Sequence, residues 1–235
     1  MKKNKIFILK EKIKEANDII TLKFLPYKGK IFSFCAGQFI IVKLINHKLS
    51  DLSRAYTISS SPYENFLSIT VKKIGKVSGA LHNLKIGDKV ELSDPQGFFY
   101  PQDNSKDLVF LAGGIGISPF YSIIKDYLQK KSNKKIHLFY SNKTKNDIAF
   151  FKELEKLSSM PNNLKITYFL TREKIKNSKI KEFKRISSIS LKKYLTDLNK
   201  KHYLICGPIG FVNDIWKELK KIGIKENNIF TEAFY

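Results

Sequence analysis

Leu108-Val109-Phe110-Leu111-Ala112-Gly113-Gly114-Ile115-Gly116-Ile117-Ser118-Pro119 runs an apolar segment into a glycine turn and then into residues suited to starting a helix. It reads as a buried strand ending at Ala112, a turn through Gly113, Gly114 and Gly116, and a helix capped by Ser118 with Pro119 as its first residue, where a missing N–H costs nothing. Free backbone N–H groups and the positive helix end converge on such a turn. That suits a phosphate or pyrophosphate, and it equally suits a tight structural turn. The third glycine of Gly-x-Gly-x-x-Gly is absent, and no Gly-Lys-Ser/Thr follows as in a P-loop.

Outward toward the C-terminus, apolar strands at 136–140, 164–170 and 203–206 alternate with helical stretches at 118–131, 147–158, 191–199 and 208–222. Short continuous apolar strands between helices predict a parallel sheet covered on both faces. A second glycine turn, Cys206-Gly207-Pro208, follows its strand directly, so both turns should open on the cleft at one sheet edge. Taken alone, Cys206 reads as a small buried hydrophobe.

Toward the N-terminus the periodicity changes. Short strands at 6–9, 19–25, 39–45, 54–59, 66–71 and 89–92, with a single helical segment at 77–84, predict a small antiparallel barrel or sandwich. The polar segment 101–107 separates the halves, giving expected domains of 1–101 and 102–235. In Arg54-Ala55-Tyr56-Thr57, strand alternation puts Arg54 and Tyr56 on one face and Ala55 and Thr57 on the other. A guanidinium suits a pyrophosphate and a phenol suits stacking on a heterocycle, although an ordinary amphipathic strand would read the same way.

Composition narrows the function classes. The 235 residues include 43 Lys+Arg against 21 Asp+Glu, a net +22 that ordinarily points to nucleic acid, an anionic membrane face or an acidic partner. The lysines are spread through nearly every segment, as at Lys217, Lys220 and Lys221, instead of clustering with aromatics, so no nucleic-acid role is expected. Cys35 and Cys206 are too few for an iron–sulfur cluster or a structural zinc. The apolar run at 6–9 is too short for a signal peptide. The uncharged stretch 108–124 is shorter than a membrane span and is broken by glycines, so a soluble, cytoplasmic protein is expected. His47, His82, His137 and His202 form no recognisable triad.

In order along the chain, Arg-x-Tyr-Thr, Gly-Gly-Ile-Gly-Ile-Ser-Pro, Cys-Gly-Pro and the terminal Glu-x-Phe resemble the ferredoxin–NADP reductase superfamily over essentially the whole length. The resemblance implies an antiparallel β-barrel FAD-binding domain followed by an α/β parallel-sheet NAD(P)-binding domain, without an iron–sulfur domain. It implies that Arg54 contacts the FAD pyrophosphate, that Tyr56 stacks on the isoalloxazine, that Thr57 bonds near its hydride-accepting nitrogen, and that Ala55 is among the cofactor-binding residues. Val71 and Lys72 would touch the flavin through backbone, and Lys76, Val77 and Ser78 would receive the FAD phosphates, with Ser78 as hydroxyl donor. Phe34-x-Ala-Gly-Gln-Phe39 also resembles a family segment, with Gly37 and Gln38 structural.

In the second half the resemblance brings Gly114, Gly116, Ser118 and Pro119 to the pyrophosphate and ribose of the nicotinamide nucleotide. Cys206, Gly207 and Pro208 would flank the nicotinamide, Glu232 would lie near the hydride-transfer site, and Phe234, or the extra Tyr235, would cover the flavin. Lys143, Thr171 and Arg172 follow two strand ends where a 2′-phosphate would find cations, which leans toward NADP over NAD. Lys184-Arg185-Ile186 stands where the family has Gly-Arg-Ile, and no role is carried to Arg185.

The implied activity is hydride transfer from NAD(P)H to FAD, then electron delivery to a separate acceptor, expected to be an acidic carrier such as ferredoxin or flavodoxin. A flavin reductase that uses flavin as a substrate is the alternative. A non-catalytic electron-transfer subunit fits less well, because its usual cysteine cluster is absent.

Overall fold

The computed structural model describes residues 5–45, 48–101, 105–176 and 179–234, so His47 and Tyr235 lie outside it, as do residues 102–104 beside the expected domain boundary. Its first half is a six-stranded antiparallel sheet. The strands are β1 (Lys5–Ala16), β2 (Ile19–Pro26), β3 (Phe39–Leu44), β4 (Ser53–Thr57), β5 (Leu67–Lys72) and β6 (Lys89–Leu92), in spatial order β4-β3-β6-β1-β2-β5. The two edges meet through an Ile58–Ile69 bridge and the Ser59 N–H bond to the Ser68 carbonyl, 2.8 Å, which closes the sheet into a barrel.

Alternate residues of these strands, among them Phe7, Leu9, Leu22, Phe24, Ile40, Val42, Ile69 and Val71, are buried in one interior. Helix α1 (Lys76–Asn83) lies against it through Val77, Ala80 and Leu81. Strand β1 extends to Ala16, beyond the expected stop at residue 9, because two register irregularities absorb its polar residues while it pairs with β2.

The second half is a six-stranded parallel sheet of β7 (Asp107–Gly113), β8 (Ile136–Asn142), β9 (Leu164–Leu170), β10 (Ile180–Glu182), β11 (Lys201–Pro208) and β12 (Ile229–Phe234), in order β10-β9-β8-β7-β11-β12. Helices α2 (Ile117–Gln129) and α3 (Phe151–Ser159) cover one face, and α4 (Ser188–Tyr194) and α5 (Ile209–Lys221) the other. Strand alternation sorts the core between the faces. Leu108, Phe110 and Ala112 of β7 pack with α2, whereas Val109 and Leu111 pack with α5.

Strands β10 and β12 lie outside the strands expected from the sequence. The first is a three-residue edge strand, and the second alternates half-buried with exposed residues, so neither carries the continuous apolar run of a central parallel strand.

The halves are joined by the barrel's hairpin tip, where Ile19 enters the core of the α/β half and the Asn17 N–H bonds the Asn146 carbonyl at 2.9 Å. Ser122 Oγ donates to the Ser60 carbonyl at 2.5 Å, and Lys125 of α2 pairs with Glu64 at 2.5 Å. Among the described residues no helix is long and apolar enough to cross a membrane.

Candidate functional site

The 108–119 segment folds as strand, turn and helix, with one correction. The helix is capped by Gly116 and begins at Ile117, after a 3-10 turn through Gly114–Gly116. Ser118 and Pro119 are therefore the second and third helical residues. The Ser118 hydroxyl donates back to the Ile115 carbonyl at 3.0 Å, and both side chains are buried. Pro119 is tolerated there because a first-turn N–H has no partner within the helix.

The glycines differ in role. Gly114 sits at φ +54 with empty space where a Cβ would stand, so its turn is open to a ligand. Gly116 faces the backbone of β11, where a Cβ would come within 2.2 Å of the Cys206 carbonyl oxygen. It is a glycine for packing, and it does not line the cleft.

A cleft of about 640 Å³ opens at the C-terminal edge of the parallel sheet. Gly114, Lys143, Thr171, Arg172 and Pro208 line it, as does Lys72 from the end of β5 in the barrel. Two of its loops are joined by backbone bonds. The Thr171 N–H donates to the Asn142 carbonyl at 3.0 Å, and the Arg172 N–H to the Lys143 carbonyl at 2.9 Å. Arg185, paired with Asp214 at 3.3 Å, and Phe211 also line the cleft, and the sequence reading gave neither a role. For Arg185 the signal was present in the partial match of Lys184-Arg185-Ile186. A larger cavity of about 830 Å³ lies between the halves and contains none of the expected residues. Its cations are engaged, Lys130 with Asp126 and Lys106 with Asn228, both at 2.7 Å.

Strand register puts Cys206 beside Glu232 on one side and Ala112 on the other, and puts Pro208 beside Phe234. Glu232 is mostly buried, its Oε2 has no hydrogen-bond partner among the described residues, and burial pushes its carboxyl up to about 7. Cys206 is a free thiol, driven well above the ordinary range by burial and then by Glu232, so it stays protonated at neutral pH. Phe234 packs half-buried on the core that contains Cys206.

On the barrel, Arg54 is exposed, with its guanidinium on the Ser53 carbonyl at 2.8 Å, and Ala55 is exposed beside it. Tyr56 rests half-buried on the barrel core, and burial, opposed by Arg54, pushes its phenol up to about 12. Thr57 is half-buried at the strand end. Val71 is in the core, and its carbonyl meets His82 Nε2 at 3.0 Å. Lys76 and Val77 open α1, while the Ser78 hydroxyl accepts from the Ile74 and Gly75 N–H groups at 3.0 and 2.9 Å and donates to the Gly75 carbonyl. The Ser78 hydroxyl proton is thus engaged in capping, which leaves the first-turn amides as the donors for an anion there. Gly37 and Gln38 are structural. Gly37 lies against the Phe99 carbonyl, and Gln38 accepts from the Cys35 N–H at 2.8 Å and donates to the Gly97 carbonyl at 3.2 Å.

These groups form two sets that meet where β5 touches the Gly114–Gly116 turn. On the barrel, an aromatic strand end and a helix start offer a flat surface and anion donors. On the sheet, an open glycine turn and a row of cations offer a second anion site, with the buried Glu232 carboxyl, able to hold a proton, on the neighbouring strand β12. A flavin nucleotide and a nicotinamide nucleotide have the ring systems and phosphates that such sets fit.

Two family models match the chain: an oxidoreductase FAD-binding domain over residues 6–100 and an oxidoreductase NAD-binding domain over 110–217. Flavohemoprotein A of Dictyostelium discoideum is 33% identical across 97% of the chain and 59% of its own length. The chain spans about 60% of the length of the curated relatives it matches. Among solved structures, the flavohem-like FAD/NAD-binding domain of nitric oxide dioxygenase from Vibrio cholerae superposes with a TM-score of 0.87 at 22% identity, covering 99% of both chains. A ferredoxin NADP+ reductase from Neisseria gonorrhoeae with bound FAD and NADP gives 0.84 at 24% identity, covering 100% of both.

Proposed function

The chain is an oxidoreductase with an FAD-binding and an NAD-binding domain, and on that premise we propose that it is an NAD(P)H-dependent reductase of the ferredoxin–NADP reductase superfamily serving a separate electron acceptor. Bound FAD would supply the redox chemistry, accepting a hydride from NAD(P)H, while the chain's own residues bind, orient and shield it. The observation that carries this reading is the contact of β5, which bears Val71 and Lys72, with the Gly114–Gly116 turn, since it sets the barrel's flavin-side strand against the nucleotide cleft.

The proposed roles rest on the resemblance and are supported by the positions of the residues. Tyr56 and Thr57 would hold and orient the flavin ring, and Arg54 and the first-turn amides of Lys76, Val77 and Ser78 would take its phosphates, with Ala55 beside them on β4. Gly114, Gly207 and Pro208 border the nicotinamide nucleotide, with Lys143, Thr171 and Arg172 around its far phosphate. Gly116, Ser118 and Pro119 shape the turn from behind. Cys206, Glu232 and Phe234 close the site against water, with Glu232 able to hold a proton near neutrality. Among the described residues the cleft's cations favour NADPH over NADH, and Arg172→Ala should raise KM for NADPH more than for NADH.

The acceptor is an acidic electron-carrier protein of the ferredoxin or flavodoxin kind, which a +22 chain attracts at long range. The resemblance to flavohemoproteins supports a second acceptor class, a haem protein. Steady-state reduction of ferredoxin, flavodoxin and a haem protein at rising salt distinguishes them. The preferred acidic carrier should be reduced more slowly as salt rises, and equal rates across salt would remove the electrostatic argument. FAD retained through gel filtration supports a bound cofactor, whereas its complete loss supports a flavin reductase.

A further inference from the structure

Resting on the reading of the cleft as the nicotinamide nucleotide's site, we propose that Phe211 is its floor, a positioning residue whose one ring replaces the side chains missing at both Gly113 and Gly207. Side chains of β7 and β11 alternate between the two faces of the sheet. On the α5 face the rows run Val109, Leu111, then Gly113, and Tyr203, Ile205, then Gly207, and the four apolar members share one buried layer with Val212, Ile215 and Leu219. Each row therefore ends in a glycine at the cleft.

The space is filled from α5. A Cβ at Gly113 would stand 2.8 Å from both Cγ and Cδ1 of Phe211, and one at Gly207 would stand 2.7 Å from Cδ1 of the same ring. The two turns nearly touch, since a Cβ at Gly207 would be 3.2 Å from the Gly113 Cα. Cγ is the anchored end of a ring, so it cannot swing aside as the tip of a flexible chain would. Phe211 packs half-buried on the apolar layer and also lines the cleft with Gly114 and Pro208.

A benzyl ring neutralises no phosphate. Its contribution is shape and dryness: it closes the layer against water, supports both strand ends from beneath, and fixes the depth at which the nucleotide lies against the turn amides. A side chain at 113 or 207 would push the ring up into the cleft.

The test measures calorimetric affinity of the FAD-loaded protein for NADP+ and NAD+, with no turnover, in Phe211→Ala, Phe211→Leu, Gly113→Ala and Gly113→Ala/Phe211→Ala. With FAD content unchanged, Phe211→Ala should weaken binding about tenfold, which is ~1.4 kcal/mol, and Phe211→Leu should lie between it and the wild type. Because the ring is what excludes a Cβ, the double variant should bind the nucleotide better than Gly113→Ala alone. Wild-type affinity in Phe211→Ala, or in Phe211→Leu if the alanine variant does not fold, would overturn the proposal, as would purely additive losses in the double variant. If the wild type bound neither nucleotide, the functional reading itself would fail, a different result from any of these.

Discussion

Replacing Glu232 by Gln should alter stability in a way that grows with pH. The carboxyl is mostly buried, has an oxygen without a partner among the described residues, and is held neutral up to about 7 instead of the ordinary 4.5. Below 4.5 both folded and unfolded carboxyls keep their protons, so the group contributes no pH-dependent term. Between 4.5 and about 7 the unfolded chain ionises first and native stability falls, and above about 7 the loss is complete. At about 1.4 kcal/mol per tenfold of proton affinity, the loss is up to ~3 kcal/mol. Gln cannot ionise and escapes it. Its amide also lacks partners there, so the informative quantity is the change between two pH values, not the offset at one. For a chain of this size ~3 kcal/mol corresponds to roughly 6–12 °C in Tm. Differential scanning of both FAD-loaded proteins at pH 5 and pH 8.5 should show E232Q gaining on the wild type by several degrees at the higher pH. A difference in Tm that is equal at both pH values would refute the burial argument.

The glycines of the turn should separate cleanly. Gly116→Ala drives a Cβ into the Cys206 backbone and should destabilise the protein by more than about 3 kcal/mol, whereas Gly114→Ala meets open space and carries only the strain of its positive φ, about 1 kcal/mol. Thermal melts that rank the two the other way would be inconsistent with the packing described. Lys125→Met removes one partner of the largely buried pair with Glu64 that spans the two halves, and should cost about 3 kcal/mol. In a double-mutant cycle with Glu64→Gln the losses should be clearly less than additive, and simple additivity would mean that the pair does not couple the domains.

The fold was legible wherever burial is two-sided. Residues 108–112 are an unbroken apolar run, and 136–140 and 164–170 are mostly apolar, interrupted by His137 and by Lys165 and Thr167, because the parallel sheet is largely covered on both faces; the barrel strands were legible through alternation and turns. Short or half-exposed edges were not: β10 and β12 lack such a run, although the latter carries Glu232 and Phe234.

Within the site, the cleft residues Gly114, Lys143, Thr171, Arg172 and Pro208 were legible because strand ends on one sheet edge converge by topology. Side-chain partners were not. That Gly116 serves β11, that the Ser78 hydroxyl caps its own helix, and that Phe211 fills two glycine positions all depend on contacts between segments distant in the chain or on hydroxyl geometry. No spacing rule encodes these.

Electron flow from nucleotide to flavin is the central step of the proposed activity. Anaerobic titration of the purified, FAD-loaded protein with NADPH and with NADH should bleach the visible flavin absorbance at about one equivalent of nucleotide, with NADPH effective at the lower concentration. Flavin that stays oxidised in excess of both nucleotides would contradict it.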